Sequence, residues 1–256
     1  MKFHCITPEE RLRFQPSIVA IEQIAKYPLG NDFFQIDHGE NYFAFFDRLG
    51  EVNYYVALDR DRVVAVGAGI LRQILNSPAW YLCDLKVHPD YQQQYLSLRL
   101  LRYALGGSLQ KCDRGYAILM NPSRLARIYQ RFPFLQFRHA TTLNLYSFDA
   151  ETMDRFSSLL AAHRGPISYL SLQGIKDLRL TSTREILPLL HVQWGVTADQ
   201  GHSTPLPGYT HMFCAPVEDE LAIALIAKGI SPMATATVIS QGMAESDWRF
   251  ILTSEI

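Results

Sequence analysis

One stretch constrains the fold more than any other. Residues 80–87 read as a strand, His88-Pro89-Asp90 stops it, and leucines at 96, 98, 100, 101 and 105 then recur until Gly106-Gly107 closes a helix. Residues 116–120 follow as a short, buried-looking strand, so the sheet must contain a helical crossover. Hairpins enter upstream: residues 52–58 and 62–71 are β-rich and separated only by Asp59-Arg60-Asp61. Before them, residues 2–6 read as a strand and Thr7 as a cap, with Pro8 at the first helical position and Glu9 and Glu10 in the first turn. Helical periodicity runs to about Lys26, and Pro28 and Gly30 break it; a second helical stretch near residues 41–49 ends at Gly50. Residues 124–132 read as a helix stopped at Pro133, and residues 137–148 as one long strand. The order β-α-α-β-β-β-α-β-α-β predicts an α/β fold with a mixed sheet.

A helix over residues 149–165 ends in Gly-Pro and marks a domain boundary. Two units are expected: residues 1–150, and a smaller C-terminal α+β domain over residues 151–256. The second reads as strand 167–172, a helix near 183–191, strand 211–215, helix 217–228 and a closing hairpin of 234–240 with 248–253. The halves differ in charge, with 17 Lys+Arg against 14 Asp+Glu in residues 1–150, and 7 against 11 beyond. A net charge of -1 gives no global basic field, which argues against a dedicated nucleic-acid binder. The longest near-apolar run, residues 63–71, is about half of the ~20 residues that span a bilayer. The N-terminus lacks a secretory signal, so a soluble cytoplasmic protein is expected. Four scattered cysteines and eight dispersed histidines show neither a disulfide framework nor metal-ligand spacing. Gly67-Ala68-Gly69 lacks the rest of a dinucleotide fingerprint and reads as a bulge or a close backbone approach.

Chemistry concentrates in residues 80–138. The helix that opens after Pro89 offers unpaired N–H groups, suited to phosphate. From Arg99 to Arg138 there are eight Lys/Arg and one acid, Asp113, which suggests an anionic ligand. Tyr129, just before a Pro-Phe stop, could donate a proton in a cleft.

The stretch Leu85-Lys86-Val87-His88-Pro89-Asp90-Tyr91-Gln92 resembles the V-x-P-x-Y-(R/Q)-x-x-G-x-G/A motif of the GNAT superfamily of N-acetyltransferases, which use acetyl-CoA. The resemblance covers about residues 1–148. It implies that Leu85, Lys86 and Val87 form an open strand pairing with the pantetheine arm, and that the amides of Gln92, Gln93, Gln94, Tyr95, Leu96 and Ser97 cradle the diphosphate. It also places Tyr129 at the family's helical tyrosine. This chain departs from the motif where its glycines fall on Tyr95 and Ser97; the tyrosine fits only if its side chain points away from the ligand. Asn121 lies one residue from the family's asparagine. Cys83 stands where relatives with a Glu-Asp-Leu strand have glutamate, leaving Asp84 as the nearest carboxylate.

The implied reaction is direct acyl transfer from acetyl-CoA to an amine, with no metal. Asp84 would accept the amine's proton, directly or through water, and on an alternating strand it faces opposite to Cys83 and Leu85; its other reading is a hydrogen-bonded strand-edge acid. Tyr129 would protonate the leaving thiolate, or else is a core tyrosine. Arg99 and Arg102 meet phosphates or are a solvated helix face. Cys83 is not expected as a nucleophile. The acceptor is a small-molecule or peptidyl amine; no nucleic acid or membrane is implied, and a homodimer through the aromatic C-terminal hairpin stays open. So do two further readings, a catalytically inactive CoA-binding or sensing module and an interaction protein that keeps the fold. The enzyme reading requires residues 81–87 and 116–120 to splay apart, giving pantetheine a slot.

Overall fold

The computed structural model describes residues 1–29, 32–74, 76–107, 112–122 and 136–256. Strand β1 (Lys2–Ile6) leads into a short turn over Pro8–Glu10, where Thr7 N donates to Glu10 Oε2 at 3.1 Å, and then into α1 (Arg11–Glu22). β2 (Tyr27–Leu29) and β3 (Asp32–Asp37) precede α2 (Ala44–Asp47), one turn of the longer helix expected at 41–49. The expected hairpin forms as β4 (Glu51–Asp59) and β5 (Arg62–Ile74), and β6 (Ser77–Val87) pairs antiparallel with β5. Then come α3 (Leu96–Leu105), β7 (Gly115–Met120) and β8 (Arg138–Phe148). α3 buries Leu96, Leu98, Leu100, Leu101 and Ala104, the stripe that its leucine spacing implied. The helix expected at 124–132 lies outside the described residues.

The remaining elements are α4 (Ala150–Arg164), β9 (Ile167–Ser171), β10 (Asp177–Leu180), β11 (Leu189–Trp194), β12 (Thr210–Pro216), α5 (Glu220–Ala227) and β13 (Ala234–Gln241). Among the described residues they complete a ten-stranded sheet in the order β1-β4-β5-β6-β7-β13-β8-β12-β11-β9. The mixed α/β class is therefore as expected. The sheet runs on past residue 150, because β13 sits between β7 and β8, antiparallel to both. A second sheet, β10-β3-β2, joins the two halves again.

Two expected elements are replaced. Residues 183–191 form no helix: Ile186 makes a single bridge to Arg179, Pro188 bars helix continuation, and β11 starts at Leu189. All six residues of β11 are buried, so it lacks the alternation that marks a half-exposed strand. Residues 248–253 form no strand with β13, whose two edges are already taken; Trp248–Phe250 and Thr253–Glu255 are short turns instead. A buried ion pair ties the second turn to β5, with Arg72 Nη2 2.5 Å from Glu255 Oε1. Among the described residues no helix is long and apolar enough to cross a membrane.

Candidate active site

β6 and β7 are parallel neighbours for only three residue pairs: Trp80 with Gly115, Tyr81 with Tyr116, and Leu82 with Ala117. Beyond Leu82 they part, although β6 continues to Val87 and β7 to Met120. Each is still held from outside. β5 pairs with β6 through Cys83, Lys86 and Val87, and β13 pairs with Ile118, Leu119 and Met120. The splay that pantetheine requires is present. It opens into a cavity of about 680 Å³, walled by Leu100, Leu101 and Ala104 of α3 on one side and by Tyr27, Phe34 and Ile36 of the small sheet elsewhere.

A bulge sets what faces this cavity. The β5–β6 register passes from Val66–Lys86 to Ala68–Cys83, so Gly67 alone opposes Asp84 and Leu85. This is the irregularity that the glycines at 67 and 69 suggested. Asp84 takes a left-handed φ of 56°, which short polar side chains tolerate better than most. Alternation breaks there, correcting the expected orientation. Cys83 packs into the same core cluster as Tyr42 and Tyr54, and those two tyrosines donate to Asp84, so Cys83 and Asp84 face the α1 side together. Leu85 packs on the α3 side.

On the α1 side, both carboxylate oxygens of Asp84 are engaged. Tyr42 Oη donates to its Oδ2 at 2.8 Å, Tyr54 Oη donates to the same oxygen, and Lys86 Nζ holds Oδ1. Lys86 Nζ also lies 2.6 Å from Glu22 Oε2, and the Tyr42 hydroxyl oxygen is 3.1 Å from that same atom, so its one proton is shared between the two acids. The Asp84 and Glu22 side chains are each 3% exposed. Burial raises the proton affinity of Glu22, against the pull of Lys86, and among the described residues its Oε1 has no hydrogen-bond partner. Burial alone would lower the Lys86 pKa, but Asp84 and Glu22 overcome it and hold the ammonium well above its ordinary value. Burial pushes Tyr42 and Tyr54 well above the usual phenol range and the Cys83 thiol upward, so none of them is anionic near neutrality. The strand-edge acid anticipated at 84 is one corner of a five-residue network.

At another part of the wall, His38, Lys176 and His191 converge from three segments distant in sequence. Burial lowers His38 to about 4, Lys176 to about 7 and His191 to about 3. No motif or spacing pointed to these residues, nor to Glu22, Tyr42 or Tyr54.

The other expected site residues divide. Asp84, Leu85, Lys86 and Asn121 line the cavity, whereas Val87, Gln92, Gln93, Gln94, Tyr95, Leu96 and Ser97 lie outside its wall among the described residues. Gln92–Gln94 are exposed in a tight turn that starts at Pro89, and α3 begins only at Leu96, later than the helix read from the sequence. Tyr95 takes φ 52°, ψ 30° just before α3, the conformation that glycine would adopt most readily, and its side chain points out, 66% exposed. Tyr91 Oη anchors the turn to Asp59 at 2.7 Å. Asn121 spends its amide on β13, donating to Thr235 Oγ1 at 3.1 Å and accepting from Thr237 Oγ1 at 3.0 Å. Arg99 lies over the Phe3 ring at 5.2 Å and Arg102 is exposed. Tyr129, with Lys111, Arg124, Arg127 and Arg131 of the basic run, lies outside the described residues. Among those described, no three His, Cys, Asp or Glu side chains gather as a metal site.

No family model matches the chain, and no curated protein matches its sequence. Solved structures do. A proposed acetyltransferase from Pyrococcus horikoshii is 12% identical over 97% of this chain and 92% of its own, with a TM-score of 0.52. NAA60 from Arabidopsis thaliana, solved with a bisubstrate analogue, is 17% identical over 56% of this chain and 86% of its own, at TM-score 0.39. The ribosomal-protein-S18-alanine N-acetyltransferase from Escherichia coli is 18% identical over 55% and 79%, at TM-score 0.37. The first of these covers nearly the whole chain, and the shared feature is the fold, the GNAT-like arrangement implied by residues 85–92.

Proposed function

We propose that this chain is an N-acetyltransferase that moves an acetyl group from acetyl-CoA to an amine. The observation that carries the proposal is the parting of β6 from β7 after Leu82 and Ala117 above a cavity of about 680 Å³. The backbone edge of residues 83–87, not taken by β7, is suited to an amide-bearing arm such as pantetheine. The N-terminus of α3 and the turn at Gln92–Ser97 would meet the diphosphate, with the Tyr95 ring out of the way. Acetyl-CoA, when bound, supplies an acetyl group activated as a thioester. The protein's part is to hold both substrates in an apolar cleft, where orientation replaces a bimolecular encounter.

The attacking amine must lose a proton. Asp84 is the proposed acceptor, and it acts within its network. Lys86 bridges it to Glu22, whose unpartnered Oε1 and raised proton affinity give the cluster room for one more proton. Tyr129 retains its proposed part as donor to the leaving thiolate. Calorimetric titration with acetyl-CoA and with CoA, followed by an acetyl-transfer screen against amines, tests the reading. Binding with turnover supports the enzyme. Binding without turnover leaves a CoA sensor, and no binding overturns both.

A further inference from the structure

One buried amine on the cavity wall has no direct ionic partner among the described residues. Lys176, just before β10, is 7% exposed and lines the cavity. Among the described residues its Nζ makes no hydrogen bond or ion pair; it sits over the Phe45 ring, 4.4 Å from the centroid. The neighbouring acids are already engaged in direct ion pairs elsewhere, Glu22 and Asp84 both with Lys86, and Glu255 with Arg72. The two flanking histidines supply no negative charge. His38 donates from Nδ1 to Ile175 O at 3.3 Å. Thr253 spends its hydroxyl proton on Met212 O at 3.0 Å, so His191 Nδ1 must donate to Thr253 Oγ1, also at 3.0 Å. Burial keeps both rings neutral near pH 7. The rest of this wall is apolar, with Phe34, Leu178, Met212 and Met233.

The position of the lysine is built. Ile175 N and Lys176 N both donate to Leu172 O, at 2.9 and 2.8 Å. Gly39 approaches Gly174 O so closely that a β-carbon would collide with it. A buried ammonium without a directly paired counter-ion is costly, and the chain keeps this one on the wall of the cavity of about 680 Å³.

We propose that Lys176 is the counter-ion for a carboxylate on the acceptor, so that the acceptor is an amine whose apolar body ends in a carboxylate, as in a free apolar amino acid. As a statement about the acceptor this rests on the acetyl-transfer reading; as a carboxylate subsite it does not. Seating the anion beside Lys176 draws a proton onto the amine that burial has partly stripped, so binding near pH 8 takes up a proton.

The test compares leucine and phenylalanine with leucinamide and phenylalaninamide as acceptors of acetyl from acetyl-CoA. The wild-type protein is expected to favour the acids in kcat/KM by about 10- to 100-fold, the range for one charge-assisted contact. Lys176→Met removes that preference, largely through KM, and leaves the amides within about threefold; Lys176→Arg restores part of it. Equal use of acids and amides, or an equal loss on both in Lys176→Met, overturns the inference while the acetyl-transfer reading stands. If no acetyl is transferred, calorimetry with N-acetyl-leucine and N-acetyl-leucinamide decides the subsite by itself. Selective binding that depends on Lys176, with proton uptake measured in two buffers, upholds it, and indifference to the carboxylate or no binding overturns it.

Discussion

Replacing Lys176 with methionine should make the protein more stable, by an amount that depends on pH. Folding takes the ammonium out of water, and burial carries its pKa from 10.5 to about 7, with Arg48 and Lys86 pushing the same way and Cys83 and Glu22 opposing. His38 on the loop after β3 and His191 on β11 also face it, neutral, and Phe45 of α2 covers it. At about 1.4 kcal/mol per pKa unit, the folded chain forgoes about 4 kcal/mol at pH 7. Between about pH 7 and 10.5 the unfolded chain binds the proton that the folded chain releases, so the penalty is full below about pH 7 and gone above about 10.5. Methionine keeps most of the stem's packing and carries no charge. Urea unfolding of both proteins at pH 7, 8, 9 and 10 should therefore show a gain of about 4 kcal/mol that shrinks steadily towards zero. The lysines, tyrosines and cysteines common to both proteins cancel in the difference. A gain independent of pH, or a loss at pH 7, would mean that the folded chain already pairs Lys176 with an anion, and the vacancy on which the carboxylate subsite rests would disappear.

Other substitutions probe the same wall. Lys86→Met strands Asp84 and Glu22 side by side in the interior and should cost about 3–5 kcal/mol in denaturant unfolding at pH 7; adding Glu22→Gln to it should recover part of that loss. Gly39→Ala forces a β-carbon against Gly174 O at a φ of +63° and should cost about 2 kcal/mol or more, read as a fall in melting temperature. His38, lowered from 6.5 to about 4 by burial, binds its proton more readily when unfolded, so the stability it contributes is present above about pH 6.5 and lost as pH falls to about 4. His38→Gln should flatten that limb of the pH–stability curve, and an unchanged slope would show that the ring is not buried as described.

Local features were legible in the amino-acid order. The β6–turn–α3 unit rests on a proline, a leucine stripe and a glycine stop, all within one stretch of chain, and it forms with only its helix start displaced to Leu96. The irregularity at Gly67 was readable for the same reason, since it is a demand on backbone geometry at a single place, and the outward Tyr95 meets the condition that the family resemblance set for it. β11 was not, because a strand buried on both faces carries no alternation, and Pro188 was the one local sign against a helix.

What the sequence determined alone was a strand, a turn and a helix N-terminus along residues 80–105, all set by neighbours along the chain, while the open edge of that strand was implied only by the family resemblance. Only the tertiary structure decided the rest. The insertion of β13 between β7 and β8 pairs residues 89 or more positions apart, and no local pattern encodes such a pairing. A one-residue bulge moved Asp84 to the α1 face, and convergence of β3, β10 and β11 brought His38, Lys176 and His191 to one wall. A side chain's charge is written in the sequence, but whether that charge is matched depends on which distant residues the fold brings beside it.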